Sequence, residues 1–260
     1  MKRVMTGIAI TKPVPPSINE CELSHLDREP IDVARADEQH GEYERALARI
    51  GFKIERLPVE ADHPDSVFVE DTAVVLPEIA IIARPGAPSR RGEINSVAGA
   101  LRRYRSLSSI EEPATLDGGD ILCMGKRIFA GLSARTEEKG IRQLRKIVEP
   151  FGYDIEPVTV SGCLHLKSAV TQVGEAMVLL NPAWIDARCF ARYEVIEVDA
   201  DEPQAANALR VRGHLLFPTA FPRTRERLAR CGIEVDTVDA SELAKAEGGL
   251  TCCSLIVDRA

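Results

Sequence analysis

Apolar residues recur at intervals of three and four positions in several long segments of this chain. That spacing predicts amphipathic helices over 31–51, 93–104, 136–151 and 222–231. Pro222 suits the first turn of a helix, and Gly152 and Gly232 suit positions just after helix ends. The breaker-rich stretch TKPVPPSINE (11–20) predicts a loop, and a loop of this length is often a functional lid.

Short apolar runs lie between the predicted helices. These runs predict strands over 72–83, 121–131, 169–180, 208–218 and 254–258. Most read as two strands joined by a tight turn, as at Gly125-Lys126 and Gly174-Glu175. The alternation of strands and helices predicts the α/β class.

A repeat connects these elements. Each unit contains a polar segment, a hairpin, a helix and a further strand. The polar segments contain Asp71, Asp120, His165, Asn207 and Cys252, and the steps between these residues are 49, 45, 42 and 45. Five such units account for nearly the whole chain if the N-terminal strand and helix complete the last one. A closed ring would bring the polar segments to one axis. The alternative is ordinary βα alternation in a doubly wound sheet.

Composition narrows the functional classes. The chain has 260 residues, a hydrophobic fraction of 45% and a net charge of −7, as expected for a soluble globular protein. No basic block stands out, which argues against nucleic acid and anionic membrane surfaces as partners. The N-terminus MKRVMTGIAI lacks the features of a signal peptide, and no apolar run is long enough to span a membrane.

Cysteine usage indicates a reducing compartment. The seven cysteines are an odd number, and no CxxC pair occurs among them. This pattern argues against a disulfide framework and a tetrahedral zinc site. We therefore expect a cytoplasmic protein without a metal.

Two residues are candidates for covalent chemistry. Cys252 follows Gly248 and Gly249, which allow the backbone to approach a ligand closely. His165, placed at the start of a predicted strand, has the intrinsic pKa of a general acid or base. The alternative interpretation is that both are buried core residues, and on a strand at most one of Cys252 and Cys253 would face a site.

Carboxylates cluster in two short segments next to apolar runs. DSVFVED contains Asp65, Glu70 and Asp71, and LDGGD contains Asp117 and Asp120. Carboxylates bind a planar guanidinium through parallel hydrogen bonds, although turn and cap chemistry would also explain these residues. Any arginine that enters such a site is expected to bind an α-carboxylate.

Six strings in order, FVED, RPGAPSRRGE, LDGGDIL, GLSART, HLKS and LTCCS, resemble the dimethylarginine dimethylaminohydrolase (dimethylargininase) family. The resemblance runs from about Asp32 to Val257. The family belongs to the guanidino-group-modifying (pentein) superfamily. The resemblance therefore implies a five-bladed α/β propeller of ββαβ repeats, with residues 1–260 forming a single catalytic domain. The implied reaction is hydrolysis of Nω-methylated arginines to citrulline and a methylamine through a covalent Cys-thiouronium intermediate, without a cofactor.

The resemblance also implies roles for individual residues. Cys252 would be the nucleophile, His165 the general acid and base, and Asp117 the residue that orients the histidine. The implied substrate contacts are Asp65, Glu70, Asp71, Arg90, Arg135 and Cys21. Arg90 and Arg135 would bind the amino-acid end of the substrate, and Cys21 lies in the family's lid, SINECELSHL (17–26).

Three questions stay open at this point. An arginine deiminase or another guanidine hydrolase that releases ammonia would show nearly the same residues, and so would a non-catalytic protein that binds a guanidino ligand. The chain lacks the helical insertion typical of arginine deiminases, and an agmatine deiminase would have less use for Arg90 and Arg135. The oligomeric state, a homodimer included, is also open.

Overall fold

A computed structural model describes residues 7–258. Residues 1–6 belong to the segment that lacks the features of a signal peptide, and they lie outside the described residues. Within the described part, no helix combines the length and apolar character needed to cross a membrane.

Five three-stranded sheets make up the fold. Their strands are β1 (Ile8–Thr11), β2 (Lys53–Arg56), β3 (Ala73–Val75), β4 (Ile79–Ile82), β5 (Ser106–Ser109), β6 (Ile121–Met124), β7 (Arg127–Leu132), β8 (Asp154–Thr159), β9 (Val170–Gln172), β10 (Met177–Leu180), β11 (Glu194–Glu197), β12 (Leu209–Val211), β13 (His214–Pro218), β14 (Asp236–Val238) and β15 (Leu255–Val257). The sheet orders are β15-β1-β2, β3-β4-β5, β6-β7-β8, β9-β10-β11 and β12-β13-β14. In each sheet the middle strand is antiparallel to the first and parallel to the third.

Helices connect the parallel strands in four of the five sheets. The α-helices are α1 (Val33–Arg49), α2 (Ile94–Leu101), α3 (Glu138–Val148), α4 (Leu166–Ala169), α5 (Pro222–Arg230) and α6 (Ser241–Ala244). The connection between β10 and β11 contains only a short 3-10 helix, Ala187–Phe190. The four long helices match the four predicted ones, so the amphipathic spacing identified them correctly.

Local chemistry fixes several helix ends. The Asp32 carboxylate accepts a hydrogen bond of 3.1 Å from the Arg35 amide and caps α1. Pro222 occupies the first turn of α5, as predicted. Gly152 and Gly232 have φ values of +77° and +76°, a backbone conformation that glycine adopts readily.

The ring closes through the two ends of the chain. β1 pairs with β15 in the register Ile8↔Val257 and with β2 in the register Ile8↔Lys53. The N-terminal strand and helix therefore complete the fifth unit, as the repeat predicts, and the fold is a five-bladed α/β propeller.

Apolar side chains fill the spaces between neighbouring sheets. The first strands of all five units, β3, β6, β9, β12 and β15, surround a central cavity. The polar segments immediately precede these inner strands, so the ring brings them together at one end of this cavity.

Candidate active site

Short turns place the predicted catalytic side chains around the axis of the ring. Cys252 lies in a 3-10 helix, Thr251–Cys253, and Asp71 lies in another, Val69–Thr72. Asp117 precedes a third, Gly118–Asp120. His165 is the N-cap residue of α4 rather than the first residue of a strand, because β9 begins only at Val170.

Asp71, His165 and Cys252 line one small cavity, and Asp117 contacts the ring of His165 from outside this lining. Its lining includes four predicted site residues, Asp71, His165, Cys252 and Asp65, and both predicted arginines. Cys252 is 8% exposed and His165 is 3% exposed, so a substrate reaches them only if part of the wall moves.

His165 is held between two carboxylates. Its Nε2 lies 3.0 Å from Asp117 Oδ2, and its Nδ1 lies 3.6 Å from Asp71 Oδ1. Burial alone lowers the pKa of His165, but Asp71, Asp117 and Asp120 outweigh burial and raise it to about 9. The imidazole is therefore protonated at neutral pH and can act as an acid.

Asp117 and Asp71 are fixed by donors from the backbone. The Gly86 amide donates to Asp117 Oδ1 at 2.8 Å, and the Gly119 amide donates to Asp71 Oδ1 at 3.1 Å. Burial raises the pKa of Asp71, but His165 and Arg90 outweigh it, and the net shift is downward. Asp71 is thus an anion that faces the imidazolium.

The two adjacent cysteines have different surroundings. Cys252 lines the cavity, and its sulfur accepts a hydrogen bond of 3.3 Å from the Gly249 amide. Cys253 packs in the core and donates to the Gly249 carbonyl at 3.5 Å. Burial, together with Glu70 and Asp71, raises the pKa of Cys252 to about 12, so its thiol is neutral at rest.

Gly119 is required by close packing. A Cβ atom at this position would lie 2.6 Å from Asp71 Oδ1 and 2.8 Å from His165 Nδ1. Gly119→Ala is therefore expected to displace the imidazole and lower kcat/KM by about 100-fold. Gly99→Ala is the matched control, because its Cβ in α2 would meet no atom within 4 Å. Steady-state kinetics of both variants tests the expectation, and equal activities would contradict it.

Arg90 is buried among acidic partners. It donates to Asp71 at 2.6 Å, to Glu93 at 2.8 Å and to the Phe68 carbonyl at 3.0 Å. Its guanidinium is therefore largely occupied, and its clearest contribution is to hold Asp71. The predicted contact between Arg90 and the amino-acid end of the substrate stays a prediction.

Glu70 lines the central cavity rather than the cavity that holds Cys252. It pairs with Lys167 and accepts a hydrogen bond of 2.7 Å from Thr251 Oγ1. The predicted contact between Glu70 and the substrate stays a prediction.

Asp65 and Arg135 lie on the same wall as the lid. The Glu22 amide donates to Asp65 Oδ2 at 3.2 Å, and Arg135 Nη2 lies 3.4 Å from Ser24 Oγ. Cys21, in contrast, is 1% exposed and packs in the core. The lid residue on the cavity wall is Glu22, and the predicted contact between Cys21 and substrate stays a prediction.

Two functional positions were missing from the predicted set. Asp120 accepts hydrogen bonds from the Leu166 amide at 2.9 Å and Ser133 Oγ at 2.7 Å, and it thereby fixes the backbone beside His165. Its place in the repeat, equivalent to that of Asp71, was the available signal. Glu247 lines the cavity, but its neighbours in sequence gave no signal of this.

Asp71, Asp117 and His165 offer ligand atoms within 4.8 Å of one another, a spacing that suits a metal ion. The same atoms already bind one another, Arg90 and backbone amides. The absence of a metal and of a cofactor remains a prediction.

Comparison with known proteins identifies the family of this chain. The family model for N,N dimethylarginine dimethylhydrolase, eukaryotic, matches residues 16–213. The chain belongs to the dimethylarginine dimethylaminohydrolase family. A family member from Pseudomonas aeruginosa, named N(G),N(G)-dimethylarginine dimethylaminohydrolase, is 38% identical over 234 residues, which are 89% of this chain and 91% of the relative. A relative of the same name from Streptomyces coelicolor is 38% identical over 250 residues, 95% of each chain.

A solved structure of the family agrees with the fold. The structure of a cysteine-to-serine mutant of the Pseudomonas aeruginosa enzyme, complexed with citrulline, superposes with a TM-score of 0.92 at 35% identity. It covers 97% of this chain and 99% of the other. The five-bladed arrangement therefore belongs to the family.

Proposed function

We propose that this chain hydrolyses dimethylarginine and monomethylarginine to citrulline and a methylamine through a covalent intermediate on Cys252. The observation that carries the proposal is a single cavity that holds Cys252 beside His165, whose ring lies between Asp71 and Asp117. Family membership and relatives at 38% identity support the same substrate class.

Binding of the substrate uses charge complementarity. Asp71 is an anion on the cavity wall and attracts the guanidinium group. Asp65 suits the α-ammonium group, and Arg135 suits the α-carboxylate. Arg135 is the better candidate of the two arginines, because Arg90 is already bound by Asp71 and Glu93.

The substrate helps to activate its own nucleophile. At rest the thiol of Cys252 is neutral, because burial raises its pKa to about 12. A guanidinium cation beside the sulfur favours the thiolate, so binding releases the thiol proton to solvent. The thiolate electron pair then forms a bond to the guanidinium carbon, and electrons of one C=N bond move to nitrogen.

His165 acts twice in the reaction. The imidazolium donates its proton to the methylated nitrogen, the C–N bond breaks, and a neutral amine leaves an S-linked thiouronium on Cys252. The neutral imidazole then takes a proton from water, whose oxygen attacks the same carbon. Collapse of this adduct breaks the C–S bond, the hydroxyl proton leaves to solvent, and citrulline and the thiolate form. The thiolate then regains a proton from solvent. Asp117 orients the ring throughout, since it holds Nε2 at 3.0 Å.

A substrate panel tests this proposal. We expect citrulline and the corresponding methylamine from asymmetric dimethylarginine and from monomethylarginine. For arginine, we expect kcat/KM to be at least about tenfold lower than for either methylated substrate. The control is agmatine, which lacks the carboxylate that Arg135 would bind. Preferred release of ammonia from arginine would instead assign the chain to the deiminases.

We also propose that the protein functions in the cytoplasm. All seven cysteines are free, and Cys231 is exposed. An exposed thiol without a disulfide partner suits a reducing compartment.

A further inference from the structure

Glu247 connects the lid to the turn that carries the nucleophile. The residue lies five positions before Cys252 and lines the catalytic cavity. It also lines a larger, mainly apolar cavity of about 990 Å³, next to the lid residues His25 and Leu26. Its side chain is therefore positioned between the body of the propeller and the lid.

One carboxylate oxygen of Glu247 holds the tip of the lid. Glu247 Oε1 accepts hydrogen bonds from three consecutive backbone amides, those of Ser24 at 2.9 Å, His25 at 2.6 Å and Leu26 at 2.8 Å. Successive amides that converge on one anion form a strong binding concavity. The side chains of Ser24, His25 and Leu26 are exposed, so this anchor is made by the backbone alone.

The rest of the lid is fixed by other residues. Ser17 Oγ donates to the Ala61 carbonyl at 2.6 Å, and Asn19 exchanges two hydrogen bonds with Ile31. Near the tip, Ser24 Oγ lies 3.4 Å from Arg135, a long contact compared with the three to Glu247. Among the described residues, Glu247 is thus the main anchor of residues 24–26.

Two features of Glu247 destabilise the conformation in which it holds the lid closed. Glu247 has a φ of +57°, a left-handed conformation that non-glycine residues adopt at an energetic cost. Its second oxygen, Oε2, is buried and has no hydrogen-bond partner among the described residues. Opening would return water to Oε2 and allow the backbone to relax, which offsets part of the loss of three hydrogen bonds.

We propose that Glu247 is the latch of the lid, a positioning residue that holds residues 24–26 closed over the catalytic cavity and releases them for exchange of substrate and product. Burial of Cys252 and His165 requires such an opening in each turnover. The link to turnover rests on the proposed function, whereas the latch itself is a property of the free protein.

The test uses Glu247→Gly, Glu247→Gln and a matched control. Glycine removes the carboxylate and also relieves the left-handed backbone, so loss of folding is not expected. Glutamine keeps the length and loses the charge. Asp27→Asn is the control, because it removes an exposed charge just beyond the lid.

Amide hydrogen exchange of a peptide covering residues 22–28 is the first measurement. We expect exchange at 24–26 to accelerate by about tenfold or more in Glu247→Gly, less in Glu247→Gln, and to stay at the wild-type rate in Asp27→Asn. Unchanged exchange in Glu247→Gly would overturn the latch, whether or not the enzyme turns over methylated arginine.

The second measurement separates a positioning role from a merely structural one. We expect KM for dimethylarginine to rise by about tenfold in Glu247→Gly with a much smaller change in kcat, since the chemical groups are intact. Faster exchange with an unchanged KM would overturn the positioning role. Thermal unfolding of each variant shows that the compared proteins are folded.

Discussion

Cys252→Ser is expected to lower kcat for methylated arginine by about four orders of magnitude or more, whereas Cys253→Ser retains much of the activity. Only Cys252 lines the cavity with His165, and a serine hydroxyl is a much weaker nucleophile than a thiolate. Citrulline formation under saturating substrate measures the effect.

The neighbouring cysteine supplies the control for this experiment. Cys253 is 1% exposed and packs in the core, so its replacement tests stability rather than chemistry. Mass spectrometry of the quenched reaction adds a direct observation, namely a covalent adduct on the peptide with Cys252. Loss of activity in Cys253→Ser with retention in Cys252→Ser would reverse the assignment.

His165→Asn is expected to lower kcat by about a thousandfold, because the general acid for the departing amine is lost. The pH dependence of the wild type carries further information. The resting enzyme holds a proton on both Cys252 and His165, with pKa values of about 12 and about 9. The reactive form has lost one of the two protons, so kcat/KM should rise with pH and level off near pH 9.

Asp117→Asn is the matched variant for this profile. Asp117 is one of the carboxylates that raise the pKa of His165, so its neutral analogue should move the plateau to lower pH. In His165→Asn, kcat/KM should continue to rise beyond pH 9 towards the pKa of the thiol. A profile with an optimum near neutral pH in the wild type would mean that the thiolate exists before substrate binds.

The elements of this fold were largely predictable because their signals are local. Apolar spacing identified α1, α2, α3 and α5, and the five β-rich runs contain β3, β4, β6, β7, β9, β10, β12, β13 and β15. The phase of the repeat predicts that Asp71, His165 and Cys252 meet at one axis if the units close into a ring. What spacing alone left open was whether the units form a ring or an open sheet, since both contain the same elements.

The finer details of the site depend on contacts that are distant in sequence. Glu70 pairs with Lys167, which lies 97 residues away in sequence, so no local sequence pattern indicates this ion pair. Glu22 rather than Cys21 lines the cavity, because a turn, unlike a strand, has no fixed alternation of sides. The proposed role of Glu247 rests on hydrogen bonds from the amides of Ser24, His25 and Leu26, which lie 223, 222 and 221 positions away in sequence.

The pairing of β1 between β15 and β2 has a consequence for how the protein is made. The blade of the nucleophile contains the first and the last of the described strands, so residue 257 must have left the ribosome before β15 can pair with β1. An incomplete nascent chain therefore carries the carboxylates and the histidine but no assembled catalytic centre. The closed ring also gives the molecule no unique starting repeat. A circular permutant of the described residues with new ends at the tip of the hairpin between β9 and β10, at Gly174-Glu175, should assemble the same five blades once a linker joins the end of β15 to the start of β1.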